Sequence, residues 1–475
     1  MVHLTTALDP ASAVPLYEQL YRSLAAEMRA GTLTAGTRMP GKRRLAAELS
    51  VSVNTVDTAY QMLAAEGYLT ARERSGFTVQ EYLALPQGVQ PPAAPSAPVA
   101  AHPADTAPPV QFDLSTRGVD PGLFPFRTWA RLQKELLYSA PELLTPGDAR
   151  GDAALRQALA EYLAEYRGVQ CDPEQLVVGA GLEYLLGLLA PLLPGPAAVE
   201  TPGYPRALQV LQNNGVHCCC LPVDEDGLSV EALNRSDAAV CYVTPSHQFP
   251  TGVTMPAGRR AELLHWAARR PGGRYIIEDD YDNELSYAGS PTTALAAIAE
   301  IQSSVVYLGS FSKMIYPGFG LGYLVAPKSA AKAFEGAKLL SDRHESEVHQ
   351  TILTEFISGG FYDAHVRRLK VLYAKRRNAA IRAIGRFLGD IGHLTIDNQG
   401  THLCFCFEKA LDDVHLADYL RREHRLETRA LSPCFADAPK EYGLILGFAG
   451  FSEVQLENAV EELSRGIRSF LRTSN

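Results

Sequence analysis

From Leu83 to Gln111 the chain reads LALPQGVQPPAAPSAPVAAHPADTAPPVQ, rich in proline and alanine and almost without periodicity. Proline offers no backbone donor and fixes φ, so this stretch suits neither a helix interior nor the centre of a sheet. It reads as a linker, extended and semi-rigid where prolines cluster. No single core can run through it. The 475 residues therefore divide into a short body over 1–82 and a long one from Phe112, a length that fits two or three domains. The long body subdivides into a large part, 112–327, and a small, mostly helical part, 328–475. The linker leaves the first body free to swing and to reach a partner subunit.

Composition narrows the classes. Hydrophobic residues make up 46% and charged residues 20%, the balance of an ordinary soluble globular protein. A net charge of −9 excludes a chain coated in basic surface for nucleic acid, yet leaves room for a small DNA-binding module. No secretory leader or membrane-length apolar run is visible, so the expected location is the cytoplasm, with no membrane partner. The cysteines form no framework. Cys218, Cys219 and Cys220 follow His217 without spacers, whereas zinc ligands need intervening residues to reach round an ion. VHCCCLPVD reads instead as a buried strand and turn with reduced thiols.

In the short body, Leu16, Leu20, Leu24 and Met28 fall four apart on one helix face, with Pro15 suited to the first turn and Gly31 to the end. GTRMPGKRRLAAELSVSVNTVDTAYQMLAAEGYL predicts two short helices about a Ser50–Val51 turn. The first turns Leu45, Ala46 and Leu49 inward. The second, capped by Ser52, turns Val56, Ala59, Tyr60 and Leu63 inward. YLTARERSGFTVQEY then alternates across Ser75–Gly76 as a hairpin. Helix, turn, helix and hairpin in this order make a winged helix-turn-helix, with the second short helix free to enter a major groove. A small protein-interaction domain is the competing reading. Lys42 and Arg44, positive at the start of the preceding helix, are candidates for DNA phosphates.

The long body holds GSFSKMIYPG, Gly309 to Gly318, after the apolar run SSVVYLGSF, which predicts a buried strand ending in small residues. Lys313 at such a strand end can condense with an aldehyde while Ser310 and Ser312 bind a nearby phosphate, and pyridoxal phosphate carries both groups. A surface lysine in a Ser/Gly loop is the other reading. RYIIEDDYDNEL, Arg274 to Leu285, predicts an apolar strand ending in carboxylates. Asp279 suits a pyridine nitrogen and Tyr281 a ring oxygen, on the same side if the strand continues through them. A plain acidic loop, or a metal site of Asp279, Asp280 and Asp282, competes, although no histidine or glycine pattern supports a metal. DPEQLVVGAGLEYLLGLLAPLL predicts strand, glycine turn and helix, whose first amides face outward for an anion.

The pieces ETPGYPRA (200–207), YVTPSHQFPTG (242–252), YIIEDDYD (275–282) and GSFSKMIYPG follow one another in the order of an aminotransferase-like domain. With the winged helix ahead of them, the chain resembles MocR-type regulators of the GntR superfamily over nearly its whole length. The resemblance implies a winged helix-turn-helix joined to an α/β aminotransferase-like domain of fold type I with a small α+β C-terminal subdomain. It implies pyridoxal 5'-phosphate on Lys313, with the amides near Gly181 and Leu182 on its phosphate and Tyr204 stacked on its ring. Arg206 matches a position that grips an amino-acid carboxylate, while a surface ion pair explains it equally well. Arg43, Asn54 and Thr55 become the DNA contacts, and Gly76 the wing tip.

The implied function is a regulator that binds double-stranded promoter DNA and senses an amine or amino-acid effector, or the cofactor itself, through Schiff-base chemistry on Lys313. A homodimer follows, with a head-to-tail exchange of DNA-binding domains as one arrangement. A working aminotransferase with an added domain is the alternative, and a site that has drifted to another ligand is a third. Several positions depart from the family. Val53 stands where an arginine is common, which predicts weaker, less salt-sensitive DNA binding per module, or a different preferred sequence. Leu182 stands where polar residues are common. Gly320, seven residues past Lys313, replaces an arginine that clamps the phosphate, a loss on the order of a few kcal/mol. GLILGFAG, the last strand, offers Ile445 where aminotransferases place a carboxylate-binding arginine, which favours a sensor over an enzyme. His247 and Gln248 fall near the site without a derived role. Arg367, Arg368, Lys375, Arg376 and Arg377 form a basic stripe, read as a solvated helix face or a dimer surface.

Overall fold

The computed structural model describes residues 8–10, 12, 14–72, 76–81, 109–140, 143, 145–270, 273–287, 292–298, 304–328, 330–340, 345–395 and 399–473. Most of the expected linker, 83–108, lies outside these residues, as does Ser75 of the expected hairpin turn. The chain divides between Thr106 and Ala107 into two compact units.

The first unit packs α1 (Leu16–Arg29), α2 (Lys42–Glu48) and α3 (Val53–Ala65) beside a hairpin of β1 (Leu69–Arg72) and β2 (Gly76–Val79). Leu20, Leu24, Met28, Leu45, Val56, Tyr60 and Leu63 form its core, with Leu69 and Phe77 from the hairpin closing one side. Leu16 and Leu49, expected inward, are only half-buried at the ends of their helices. Ser50 takes a left-handed φ of 54° in the tight turn. Ser52 then caps α3, its Oγ accepting the Thr55 amide at 3.0 Å.

In the second unit, β3 (Phe112–Asp113) is followed by α4 (Phe126–Ser139) and α5 (Ala153–Arg167). There follow β4 (Leu176–Gly179), α6 (Leu182–Leu189), β5 (Ala197–Thr201), α7 (Pro205–Asn213), β6 (Cys218–Asp224) and β7 (Gly227–Leu228). Next come α8 (Val230–Arg235), β8 (Val240–Val243), α9 (Ala257–Ala268), β9 (Tyr275–Asp280), β10 (Val305–Ser310) and β11 (Gly322–Val325). Eight strands form one sheet in the order β4-β11-β10-β9-β8-β5-β6-β7. β10, β9, β8, β5 and β6 run parallel, and β11 runs antiparallel between β10 and β4. Separate apolar clusters cover the two faces, one holding Leu159, Trp266 and Tyr307, the other Leu186, Leu211 and Tyr242. Burial on both faces explains why the central strands are continuous apolar runs rather than alternating ones. Their carboxyl ends deliver Asp280 and Ser310 to one edge, the usual ligand crevice of such a sheet.

The cysteine run lies on β6, as expected of a strand, but its thiols are half-buried rather than buried. β7 pairs with Val223 and Asp224, so among the described residues the Cys218–Cys220 segment has a ladder partner on the β5 side alone.

The chain continues through α10 (Ala331–Leu340), α11 (Glu347–Ser358) and the long α12 (Phe361–Leu388). The final elements are β12 (Gly392–Thr395), β13 (His402–Phe407), α13 (Asp413–Glu423), β14 (Leu426–Glu427), β15 (Arg429–Ala430), β16 (Gly443–Gly447) and α14 (Glu453–Thr473). β12-β13-β16-β15 make a small antiparallel sheet, and β14 pairs with β3. The expected basic stripe does not survive on α12. Arg367, Arg368 and Lys375 are exposed, but Arg376 and Arg377 are buried. Arg376 donates to Asp120 at 2.6 Å and to the Ala449 carbonyl at 2.5 Å, tying the helix inward. Among the described residues no helix is long and apolar enough to cross a membrane, and no group of His, Cys, Asp and Glu side chains could hold a metal ion.

Candidate cofactor and effector site

One cavity of about 520 Å³ opens at the carboxyl ends of the parallel strands. Lys313, Asp279, Tyr281, Tyr204, Ser310, Ser312, Gly181, Leu182 and Arg206 all line it. These residues come from four separate strand ends and the turns after them.

Lys313 sits in the turn after β10 and donates from Nζ to the Thr116 carbonyl at 2.7 Å. Desolvation lowers its pKa, with Asp282 opposing and Arg429 and Arg117 reinforcing. A lowered value favours the neutral amine that attacks carbonyl carbon. Three residues back along the chain, Ser310 Oγ donates to Ser312 Oγ at 3.0 Å and accepts the Ser312 amide at 3.2 Å.

Asp279 is held deep beside it, only 4% exposed. Tyr242 donates its phenol to the Asp279 carboxylate. Burial pushes this carboxyl up to about 7, against the lowering effect of the Tyr242 hydrogen bond. β9 stops at Asp280, so the strand does not continue through Tyr281 as expected, yet the bend still turns Tyr281 into the cavity. His247 supplies a brace that the sequence did not reveal. Its Nδ1 lies 3.0 Å from the Tyr281 hydroxyl and 2.8 Å from Asp282 Oδ1. The His247 and Tyr281 rings stack with centroids 5.6 Å apart. Gly400 closes over this group, where a Cβ would fall 2.2 Å from His247 Cε1 and 2.5 Å from Asp282 Oδ2. Gln248 instead ties its turn to the segment after β5, donating to the Pro202 carbonyl at 2.8 Å.

At the opposite end the wall is small and made largely of backbone. Gly181 caps α6 at φ 87°. Its own amide is already taken by the Gly179 carbonyl at 2.8 Å, so it offers no free donor. The amides of Leu182 and Glu183 in the first turn of α6 have no described acceptor, leaving them open to an anion. Gly320 also lines the cavity, with φ 66°. A Cβ there would meet only the Gly318 carbonyl at 4.0 Å, so backbone conformation rather than space favours glycine.

The rim carries the cations. Tyr204, at the start of α7, donates to Glu183 at 3.0 Å and meets Phe249 edge-on. Arg206 is about half exposed, with Nη1 3.4 Å from Glu183, so it is both a cavity residue and one partner of an ion pair. The last strand, β16, carries no arginine, as its sequence says. Its neighbour supplies one: Arg429 on β15 stands in register opposite Ile445 and reaches the cavity, its guanidinium 5.0 Å from the Phe249 ring centroid. The signal in sequence was only the second arginine of RLETRAL, outside any motif. Arg117 and His402 line the cavity too, and neither carried a motif.

In the first unit Arg43, Arg44 and Asn54 are exposed, whereas Lys42 and Thr55 are half-buried. Lys42 is held by Asp57 and lies over the Phe77 ring. Arg44 pairs with Glu48 at 2.8 Å. Gly76 opens β2 at φ 84°, opposite Arg72.

The donor set suits pyridoxal phosphate: an amine of lowered pKa, a buried carboxylate for a ring nitrogen, a braced phenol, and open amides with two hydroxyls for phosphate. Comparison with known proteins agrees. The family described as "Bacterial regulatory proteins, gntR family" matches residues 16–79, and "Aminotransferase class I and II" matches 118–463. The HTH-type transcriptional regulator YdeL of Bacillus subtilis is 32% identical over 469 residues, spanning 97% of this chain and 98% of that protein. The rhizopine catabolism regulatory protein MocR of Rhizobium meliloti is 35% identical over 471 residues, with 96% and 94% covered. Among solved structures, the α-aminoadipate aminotransferase LysN of Thermus thermophilus, holding N-(5'-phosphopyridoxyl)-L-leucine, aligns with a TM-score of 0.70 at 26% identity over 76% of this chain and 93% of that one. Pyridoxal phosphate is thus the cofactor of the second unit, and DNA the partner of the first. The chain belongs to the GntR-family transcriptional regulators of the MocR type, a helix-turn-helix domain followed by an aminotransferase-like domain.

Proposed function

We propose that the chain is a cytoplasmic homodimeric regulator that reads an amine or amino-acid effector in this cavity and changes its hold on promoter DNA in response. One observation carries the reading: Lys313, Asp279, Arg206 and Arg429 face a single cavity in a chain that also bears a helix-turn-helix unit. The bound cofactor supplies an aldehyde and an electron-withdrawing ring. Lys313 would hold that aldehyde through Nζ and would accept or return a proton at that atom. Asp279 keeps the ring nitrogen protonated, and Tyr281, positioned by His247 and Asp282, donates to the ring oxygen. Tyr204 covers a ring face. Ser310, Ser312 and the amides at the start of α6 take the phosphate without a guanidinium at position 320. Arg206 and Arg429 grip the effector carboxylate.

In the first unit, Arg43, Asn54 and Thr55 would meet DNA directly. Lys42, Arg44 and Gly76 would support them at the backbone, with Lys42 and Arg44 exchanging Asp57 and Glu48 for phosphates. The functional limits would be 1–82 for DNA, 83–111 for the linker, 112–327 for the cofactor part and 328–475 for the small part. An effector shifts the protein only as far as it prefers one arrangement of these parts to another. The test uses the full cofactor-loaded chain and genomic DNA fragments that it selects. Amines that change its visible spectrum should shift its DNA-binding midpoint, and Lys313→Ala should remove both responses. Amines that alter the spectrum but never DNA binding would refute the reading.

A second reading gains from Arg429. The arginine expected on the last strand, whose absence counted against turnover, has a counterpart on the strand beside it. A working aminotransferase would convert many equivalents of amino acid with a keto acid present, whereas the sensor stops after about one.

A further inference from the structure

His402 opens β13 on the cavity side of that strand, the side that also carries Cys404 and Cys406. It is 3% exposed, lines the cavity, and its Nε2 has no hydrogen-bond partner among the described residues. Native structures seldom leave a buried polar atom unpaired, and such an atom at a ligand wall is commonly completed by the ligand. Packing holds the ring in place, with centroids 5.1 Å from His247 and 5.4 Å from Phe249. Burial lowers the imidazole pKa well below its usual value, the charges of His247, Lys313 and Arg429 push the same way, and the Pro250 carbonyl alone opposes. The ring is therefore neutral, with its proton toward Pro250 and a lone pair on Nε2.

The guanidiniums around the cavity, Arg429, Arg206 and Arg117, donate hydrogen bonds and accept none, and Lys313 already donates to the Thr116 carbonyl. Two of them, Lys313 and Arg429, are the ones whose charges reach His402. An effector's amine end would lie at Lys313 and the cofactor and its carboxylate at Arg429, so the ring would stand beside the carbon chain that joins those two groups.

We infer that His402 is a specificity-determining residue whose Nε2 accepts a hydrogen bond from a hydroxyl on the effector backbone, so that the site prefers hydroxylated amino acids to their deoxy counterparts. This rests on the effector reading above. An apolar residue at 402 would close the cavity equally well and would not distinguish the two. A neutral hydrogen bond of this kind separates matched ligands by about three- to tenfold.

The test is a spectral titration of the cofactor-loaded full chain with matched pairs: serine against alanine, threonine against 2-aminobutanoate, and 4-amino-3-hydroxybutanoate against 4-aminobutanoate. At least one hydroxylated member should bind about three- to tenfold tighter than its partner. His402→Phe should erase that ratio, and His402→Gln, which keeps an acceptor at similar reach, should restore part of it. His402→Asn, too short for the same reach, replaces the phenylalanine variant if the larger ring prevents cofactor binding. Only ratios within one variant are compared, so a general loss of affinity does not count. A hydroxyl preference that persists in these variants, or no preference in the wild type while amines still alter its spectrum, overturns the role of His402 and leaves the effector reading standing. No spectral change with any amine overturns both.

Discussion

The two ends of the cavity are built on opposite principles. The end that would meet the cofactor ring is crowded with buried ionisable groups that hold one another: Asp279 with Tyr242, and Tyr281 with His247 and Asp282. The end that would meet the phosphate is glycine, backbone and two serines, with no arginine at 320. A charge network fixes orientation because each member loses much if its partner moves. A backbone cradle is tolerant, and its hold on an anion is modest and easily screened. The ring end should therefore decide whether and how the cofactor sits, and the phosphate end should adjust only how tightly.

The largest expected effect is on pH. Burial raises Glu200, Glu278, Asp279 and Glu284 to about 7 each. Between the ordinary carboxylate range and pH 7 the folded chain binds more protons than the unfolded one, so stability falls as pH rises through that window. Thermal melting of the cofactor-free chain should show the midpoint dropping from pH 5 to pH 7.5. A rising midpoint would break the picture of desolvated carboxyls, of which Asp279 stands at the ring end. Asp279→Asn comes next. It should weaken cofactor binding about a hundredfold, because a protonated ring nitrogen loses its counter-charge. The same change should flatten part of the pH dependence in the cofactor-free chain.

Asp282→Asn loosens His247 and hence Tyr281, and should cost about tenfold in cofactor affinity, with a shifted absorption maximum as the sign that the ring oxygen is affected. Ser312→Ala, at the tolerant end, should cost only about threefold in an equilibrium dialysis measurement. Should it cost more than Asp282→Asn, the contrast between the ends is wrong. Smallest of all, Gly320→Ala should lower folding stability by about 1 kcal/mol through its left-handed backbone and leave cofactor affinity nearly unchanged.

The fold was legible where local patterning and burial agree. Apolar runs ending in small residues announced β4 and β10, one ending in carboxylates announced β9, and the four-residue spacing of leucines announced α1. The floor of the cavity was legible for the same reason, since Lys313, Asp279 and Tyr204 each sit at the end of such a run or just past it. What sequence hid depends on pairing between distant segments. Arg429 matters because β15 pairs with β16, and His247 matters because Gly400 closes over it from another part of the chain. The basic stripe misled because Arg376 finds Asp120 and Ala449 far away in sequence. The Gly181 amide misled because only the folded turn spends it on Gly179.

The most direct measurement is borohydride reduction of the purified full chain with pyridoxal phosphate, followed by mass spectrometry of its peptides beside Lys313→Ala. A visible absorption band present before reduction and missing in the variant, with the cofactor mass fixed on Lys313 alone, is the predicted result. No band in excess cofactor, or a mass fixed on another lysine such as Lys338, would contradict the account of the ring end.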